Sequence, residues 1–225
     1  MIGIVANRIL YITLIIIAAC SCESKRNATS IEDRSLLMPV GTKKNLDASE
    51  YKLWMVENQK SLTRSKQLGD MIYQVFYLPT EFVILKENMS EGESDINVDS
   101  LLPIYSQYYY FKFRISNLAF KEELLKYNLL SYESYEDRVK YFSFQVSNEL
   151  SLIEGNDTIP CAFSHFERVY GIDPGLTLNC GFLKNNSTKS HISDLVFLFR
   201  DKLFGSGNVS IALPSQIIHN CPVLM

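Results

Sequence analysis

The sequence has little of what catalysis most often draws on. It holds three histidines, His165, His191 and His219, and a single tryptophan, Trp54. No Cys-x-x-Cys pair occurs, which argues against a zinc ribbon or a thioredoxin-type motif. There is no His-Glu-x-x-His, no P-loop and no Gly-x-Ser-x-Gly elbow; Gly205-Ser206-Gly207 reads as turn chemistry before a strand. A strand-to-helix turn rich in glycine, as a nucleotide fold requires, is also missing. Charge of one sign is scarce too. Lys and Arg number 22 against 25 Asp and Glu, a net charge of -3, so no basic field points to nucleic acid. Nor is there an uninterrupted apolar run of about 20 residues for a membrane-spanning helix. No internal repeat or heptad appears. What remains is a chain of 225 residues, 47% hydrophobic and 21% charged, a composition that folds around a core.

The strongest local signal lies at the start. Residues 1–8 carry Arg8 and no acid, and residues 9–19 (ILYITLIIIAA) are uncharged. That length suits a secretory signal better than a permanent span. The run ends Ile17-Ala18-Ala19-Cys20, which resembles the lipobox of bacterial lipoproteins. The resemblance implies cleavage between Ala19 and Cys20. Small residues let a peptidase grip the extended backbone. The Cys20 thiol then carries a diacylglyceryl group, and its freed amine takes a further chain such as palmitate. Two or three acyl chains anchor far more firmly than one, at about 0.8 kcal/mol per buried CH₂. The expected organisation is a signal peptide over 1–19, a lipidated N-terminus and polar tether over 20–49, and a single β-rich domain over 50–225.

Within the domain, period-two alternation predicts strands. They fall at 51–56, 71–77, 105–114, 142–146, 148–153, 158–168, 176–183, 195–199 and 209–213. Gly155-Asn156-Asp157, Pro174-Gly175 and Gly205–Asn208 supply turns. Short helices are expected at 79–87, with Pro79 in its first turn, and at 118–130. Residues 88–100 and 185–190 read as polar loops. Short strands spaced by turns from residue 138 on predict a β-rich α+β fold, an immunoglobulin-like antiparallel β-sandwich with one or two short helices.

Few side chains gather into candidate sites. With Cys20 lipidated and Cys22 in the tether, Cys161, Cys180 and Cys221 are candidates for a disulfide, and spacing does not choose a pairing. On a regular strand, Cys161, His165 and Glu167 share one face, which would suit a thiol–imidazole pair or a metal. Tyr108, Tyr110, Lys112 and Arg114 share an aromatic and cationic face, the best candidate binding surface. Nothing points to a resident cofactor or metal, and no catalytic residue is assigned.

Several segments resemble a group of uncharacterised envelope lipoproteins of Gram-negative bacteria. They are Tyr51–Asn58, Tyr77–Phe82, Leu152–Arg168, Asp201–Gly205 and Cys221-Pro222. The resemblance implies a lipoprotein without an assigned reaction, and carries over no catalytic residues. The expectation is therefore a non-enzymatic binding or accessory module with an envelope protein partner. Its membrane contact is the lipid on Cys20, and its location the cell envelope, at the outer membrane. The alternatives are an envelope hydrolase or thiol enzyme using Cys161 and His165, and a structural subunit of an export or adhesion assembly.

Overall fold

The computed structural model describes residues 44–88, 97–185 and 194–225. The signal peptide, Cys20, Cys22 and most of the expected tether lie outside the described residues. So do most of the loop positions expected at 88–100 and 185–190. Among the described residues no helix is long and apolar enough to cross a membrane.

The described chain is built around one antiparallel sheet of eight strands. Strand β1 (Asn45–Leu46) leads into helix α1 (Ala48–Asn58). There follow β2 (Thr63–Leu68), β3 (Met71–Leu78), α2 (Thr80–Asn88), α3 (Val98–Tyr105) and β4 (Tyr108–Asn117). Helix α4 (Tyr132–Phe144) precedes β5 (Leu150–Glu154), β6 (Asp157–Glu167), β7 (Leu176–Leu183), β8 (Leu195–Asp201) and β9 (Gly207–Leu213). A short α5 (Gln216–His219) and β10 (Val223–Leu224) close the chain. The eight central strands run in the order β2-β3-β4-β7-β6-β5-β8-β9, and β1 pairs with β10 in parallel.

This is the β-rich antiparallel fold that the strand spacing predicts. The two faces of the sandwich are halves of one sheet that curls upon itself. Alternate residues of β3 and β4, such as Tyr73, Val75, Phe111 and Phe113, are buried. Together with Phe182 of β7 they meet the inward residues of β8 across the core: the Phe113 and Phe197 rings lie 4.9 Å apart, Phe113 and Phe199 5.1 Å, and Phe182 and Phe197 5.7 Å. Such tilted and edge-on ring pairs add to the burial term. The outer strands nearly meet, because Lys66 Nζ on β2 donates to the Ser210 carbonyl on β9 at 3.3 Å. Closing a sheet in this way leaves few open edges.

Several elements differ from expectation. Residues 51–56 are helix, not strand. Asp47 caps α1, accepting from Ser49 N at 2.8 Å and Glu50 N at 2.9 Å, while Glu50 Oε2 accepts from Asp47 N at 3.1 Å. This capping box satisfies free N–H groups of the first turn. Tyr51 and Met55, four apart, are the buried pair. The helix expected over 118–130 is reduced to a 3-10 turn at Leu124–Lys126. Asn117 Oδ1 accepts from Ala119 N and Phe120 N, a local turn that competes with helix initiation. The helix comes later, capped by Ser131, and takes in the expected strand residues Phe142 and Phe144. Phe142 is buried against Phe166 and Phe204, whereas Phe144 is exposed. Strand β2 was hidden by its polarity, as suits an edge strand.

Candidate functional site

The site begins with alternation along β4. Tyr109, Phe111, Phe113 and Ile115 point into the core, so Tyr108, Tyr110, Lys112 and Arg114 share the outer face. In register across the sheet, Tyr110 stands opposite Gly181 of β7, and Gly181 opposite Phe163 of β6. Glycine leaves a gap that the Phe163 ring fills. A Cβ at Gly181 would fall 2.1 Å from Phe163 Cζ. The ring centroid of Phe163 lies 5.6 Å from that of Tyr108 and 6.2 Å from that of Tyr110. Tyr105, at the end of α3, extends the cluster, 6.5 Å from Tyr110, and its hydroxyl donates to Glu87 Oε2 at 3.0 Å. Burial, aided by the charge of Glu87, pushes the Tyr110 phenol up to about 12, so it stays a neutral donor. Phe163 keeps 45% of its surface exposed.

Polar pairs continue the face along the strands. Lys112 Nζ lies 3.5 Å from Glu167 Oε2, and Asn179 Nδ2 donates to Glu167 Oε1 at 2.7 Å. Burial works against the Glu167 carboxylate. The Asn179 hydrogen bond and the Lys112 charge outweigh it and hold the group below the usual carboxylate range. Asn179 Oδ1 is buried with no partner among the described residues. Arg114 makes a two-pronged pair with Asp173, whose Oδ1 also accepts from Gly175 N at 2.9 Å. A Cβ at Gly175 would lie 2.6 Å from Arg114 Nη2, so a side chain there would displace the guanidinium. Arg114 is thus committed to holding a turn. Tyr108 and Tyr110 remain candidates for a binding face, and Tyr105 and Phe163 pack beside them. The pattern of β4 does not reveal these two, because their place depends on strand pairing.

The expected trio of Cys161, His165 and Glu167 is divided. A bulge between Cys161 and Phe163 inserts Ala162 as an unpaired residue. Cys161 therefore packs against the core, while Phe163, His165 and Glu167 turn outward. The three candidate disulfide cysteines, Cys161, Cys180 and Cys221, are thiols in the structure.

One buried polar cluster had no sequence signal. Glu154, 3% exposed, accepts from the Tyr109 hydroxyl at 2.8 Å. Lys184 Nζ sits 4.7 Å from the centroid of the Tyr109 ring. Burial pulls the Lys184 ammonium below its usual range, against the opposing charges of Glu81 and Glu154. Among the described residues, no three His, Cys, Asp or Glu side chains gather as a metal ligand set.

No family model matches the chain, and no curated protein does. Among solved structures, the chain is similar to a novel protein of unknown function from Burkholderia pseudomallei. The likeness covers 77% of this chain and 92% of that chain, at 8% identity and a TM-score of 0.37.

Proposed function

We propose that this chain is a lipid-anchored lipoprotein of the cell envelope, at the outer membrane. In this reading its folded part is a non-enzymatic module that binds an envelope protein partner. The observation that carries the binding role is the outer aromatic face of Tyr105, Tyr108, Tyr110 and Phe163. Ring surface of this kind, edged by the paired charges of Lys112 and Glu167, has the composition of a protein interface centre with a polar rim. The lipobox at Ile17–Cys20 supports the anchor, and the polar sequence between Cys20 and β1 supports the reach.

Two measurements test the reading. Cys20→Ser should abolish fatty-acid labelling and release the protein from membranes; labelling that persists overturns the anchor. A photoreactive residue at position 163 should crosslink one defined protein in cells, while the same probe at Asn208, exposed on β9, should not. Equal crosslinking at both positions overturns the binding face.

A further inference from the structure

The cysteines of β6 and β7 share one environment. Cys180 faces inward on β7 and is 1% exposed. Cys161 stands just before the bulge on β6, partly buried against the same core. Counted back from Ser164, which pairs with Cys180, an unbroken ladder would set Cys161 opposite Leu183 and turn it outward. The extra residue Ala162 sets it opposite Phe182 instead and turns it inward, diagonal to Cys180. There the two side chains are diagonal neighbours against the same core, and Cys161 Sγ donates to the Phe163 carbonyl at 3.0 Å. The neighbouring Cys180 thiol holds the Cys161 thiol below the ordinary thiol range although burial opposes it. Burial pushes the Cys180 thiol up. The more acidic thiol of the pair is thus the one nearer solvent.

From this geometry we propose that Cys161 and Cys180 form a redox-active dithiol, which a disulfide of the glutathione class oxidises to an intramolecular disulfide. The Cys161 thiolate attacks one sulfur of the co-reactant. A mixed disulfide forms, the co-reactant's S–S bond breaks, and its first thiolate leaves and takes up a proton. Cys180 then loses its proton and attacks Cys161 Sγ. The new S–S bond forms as the second thiolate leaves. Two protein thiols are oxidised and one disulfide is reduced to two thiols. Diagonal neighbours on a regular ladder lie about 7–8 Å apart, somewhat beyond the usual disulfide span of about 4.4–6.8 Å between Cα atoms. The unpaired backbone at Ala162 lets β6 take up that difference. Cys221 lies on the C-terminal turn after α5, where its Sγ donates to the Ile217 carbonyl at 3.2 Å. The proposal stands independently of the binding role.

The test uses the full-length protein, reduced and then equilibrated with oxidised glutathione. It is alkylated in denaturant and digested without reductant. The expected product is a peptide pair joined through Cys161 and Cys180. Alkylation of both should fall by about tenfold while Cys221 stays fully alkylated. Full alkylation of both, glutathione retained on Cys161, or a bond to any other cysteine overturns the proposal. In Cys180→Ala, glutathione should remain on Cys161, because the resolving thiol is gone; an unmodified Cys161 in the folded variant also overturns it. If that variant does not fold, the wild-type peptide map alone decides.

Discussion

A side-chain carbon added at Gly181 would overlap the Phe163 ring, so the two positions are energetically joined. Gly181→Ala should destabilise the protein by about 1 kcal/mol, the low end of the range for overpacking, because the half-exposed Phe163 ring has room to swing aside. In a Phe163→Ala background the same substitution should be nearly neutral, since the ring it strikes is absent. Urea unfolding of the four-member cycle measures the coupling, and additive effects would contradict the contact. The acidic pairs predict a pH dependence. Glu167 and Asp173 are both held below the usual carboxylate range, Asp173 chiefly by its hydrogen bonds from Arg114. A depressed folded pKa stabilises the fold fully above the unfolded values, about 4.3 for Glu and 3.9 for Asp. That stabilisation is lost as pH falls through the depressed values. The urea midpoint should therefore drop below about pH 4, and drop less steeply in Asp173→Asn, which has one carboxylate fewer to protonate.

Among the elements, α1 depends most visibly on its first turn. Asp47→Ala removes the acceptor for Ser49 N and Glu50 N and should cost about 1 kcal/mol, read as a lower Tm. Glu50→Gln keeps a side-chain acceptor for Asp47 N and should cost less. The same residues explain why this helix was illegible as a helix. Tyr51, Leu53 and Met55 alternate like a strand, and only the Asp47–Glu50 spacing contradicts that pattern. Strands β3, β7 and β8 were legible because their buried residues recur every second position between clear turns. The aromatic face was half legible: Tyr108 and Tyr110 follow from alternation on β4, but Phe163 joins them only through pairing across Gly181. The local sign of the bulge at Ala162 is slight, a proline two residues earlier in a strand paired on both sides. One unpaired residue there sends Cys161 to the core and leaves His165 outside, reversing a face assignment that regular geometry would make.

For the described molecule as a whole, core and ends answer to different forces. The sheet is held by ring packing across its curl, with Phe197 touching Phe111, Phe113 and Phe182 at once. Phe197→Ala should cost about 3–5 kcal/mol, because strands on both sides of the core lose contacts that cannot collapse together. The ends rest on less. Strand β10 pairs with β1 through two residues, Met225 N donates to the Leu46 carbonyl at 3.0 Å, and the Tyr51 hydroxyl reaches the Pro222 carbonyl at 3.5 Å. Leu46 and Leu224 are both buried there, at 2% and 7% exposure. Deleting residues 221–225 should therefore free β1 and α1 without unfolding the sheet. Amide exchange should accelerate at residues 45–58, while the amides of β3, β4 and β7 keep their protection, since local opening needs only the contacts of its own unit to break. Uniform loss of protection across the sheet would instead mean that the terminal pair is part of the cooperative core.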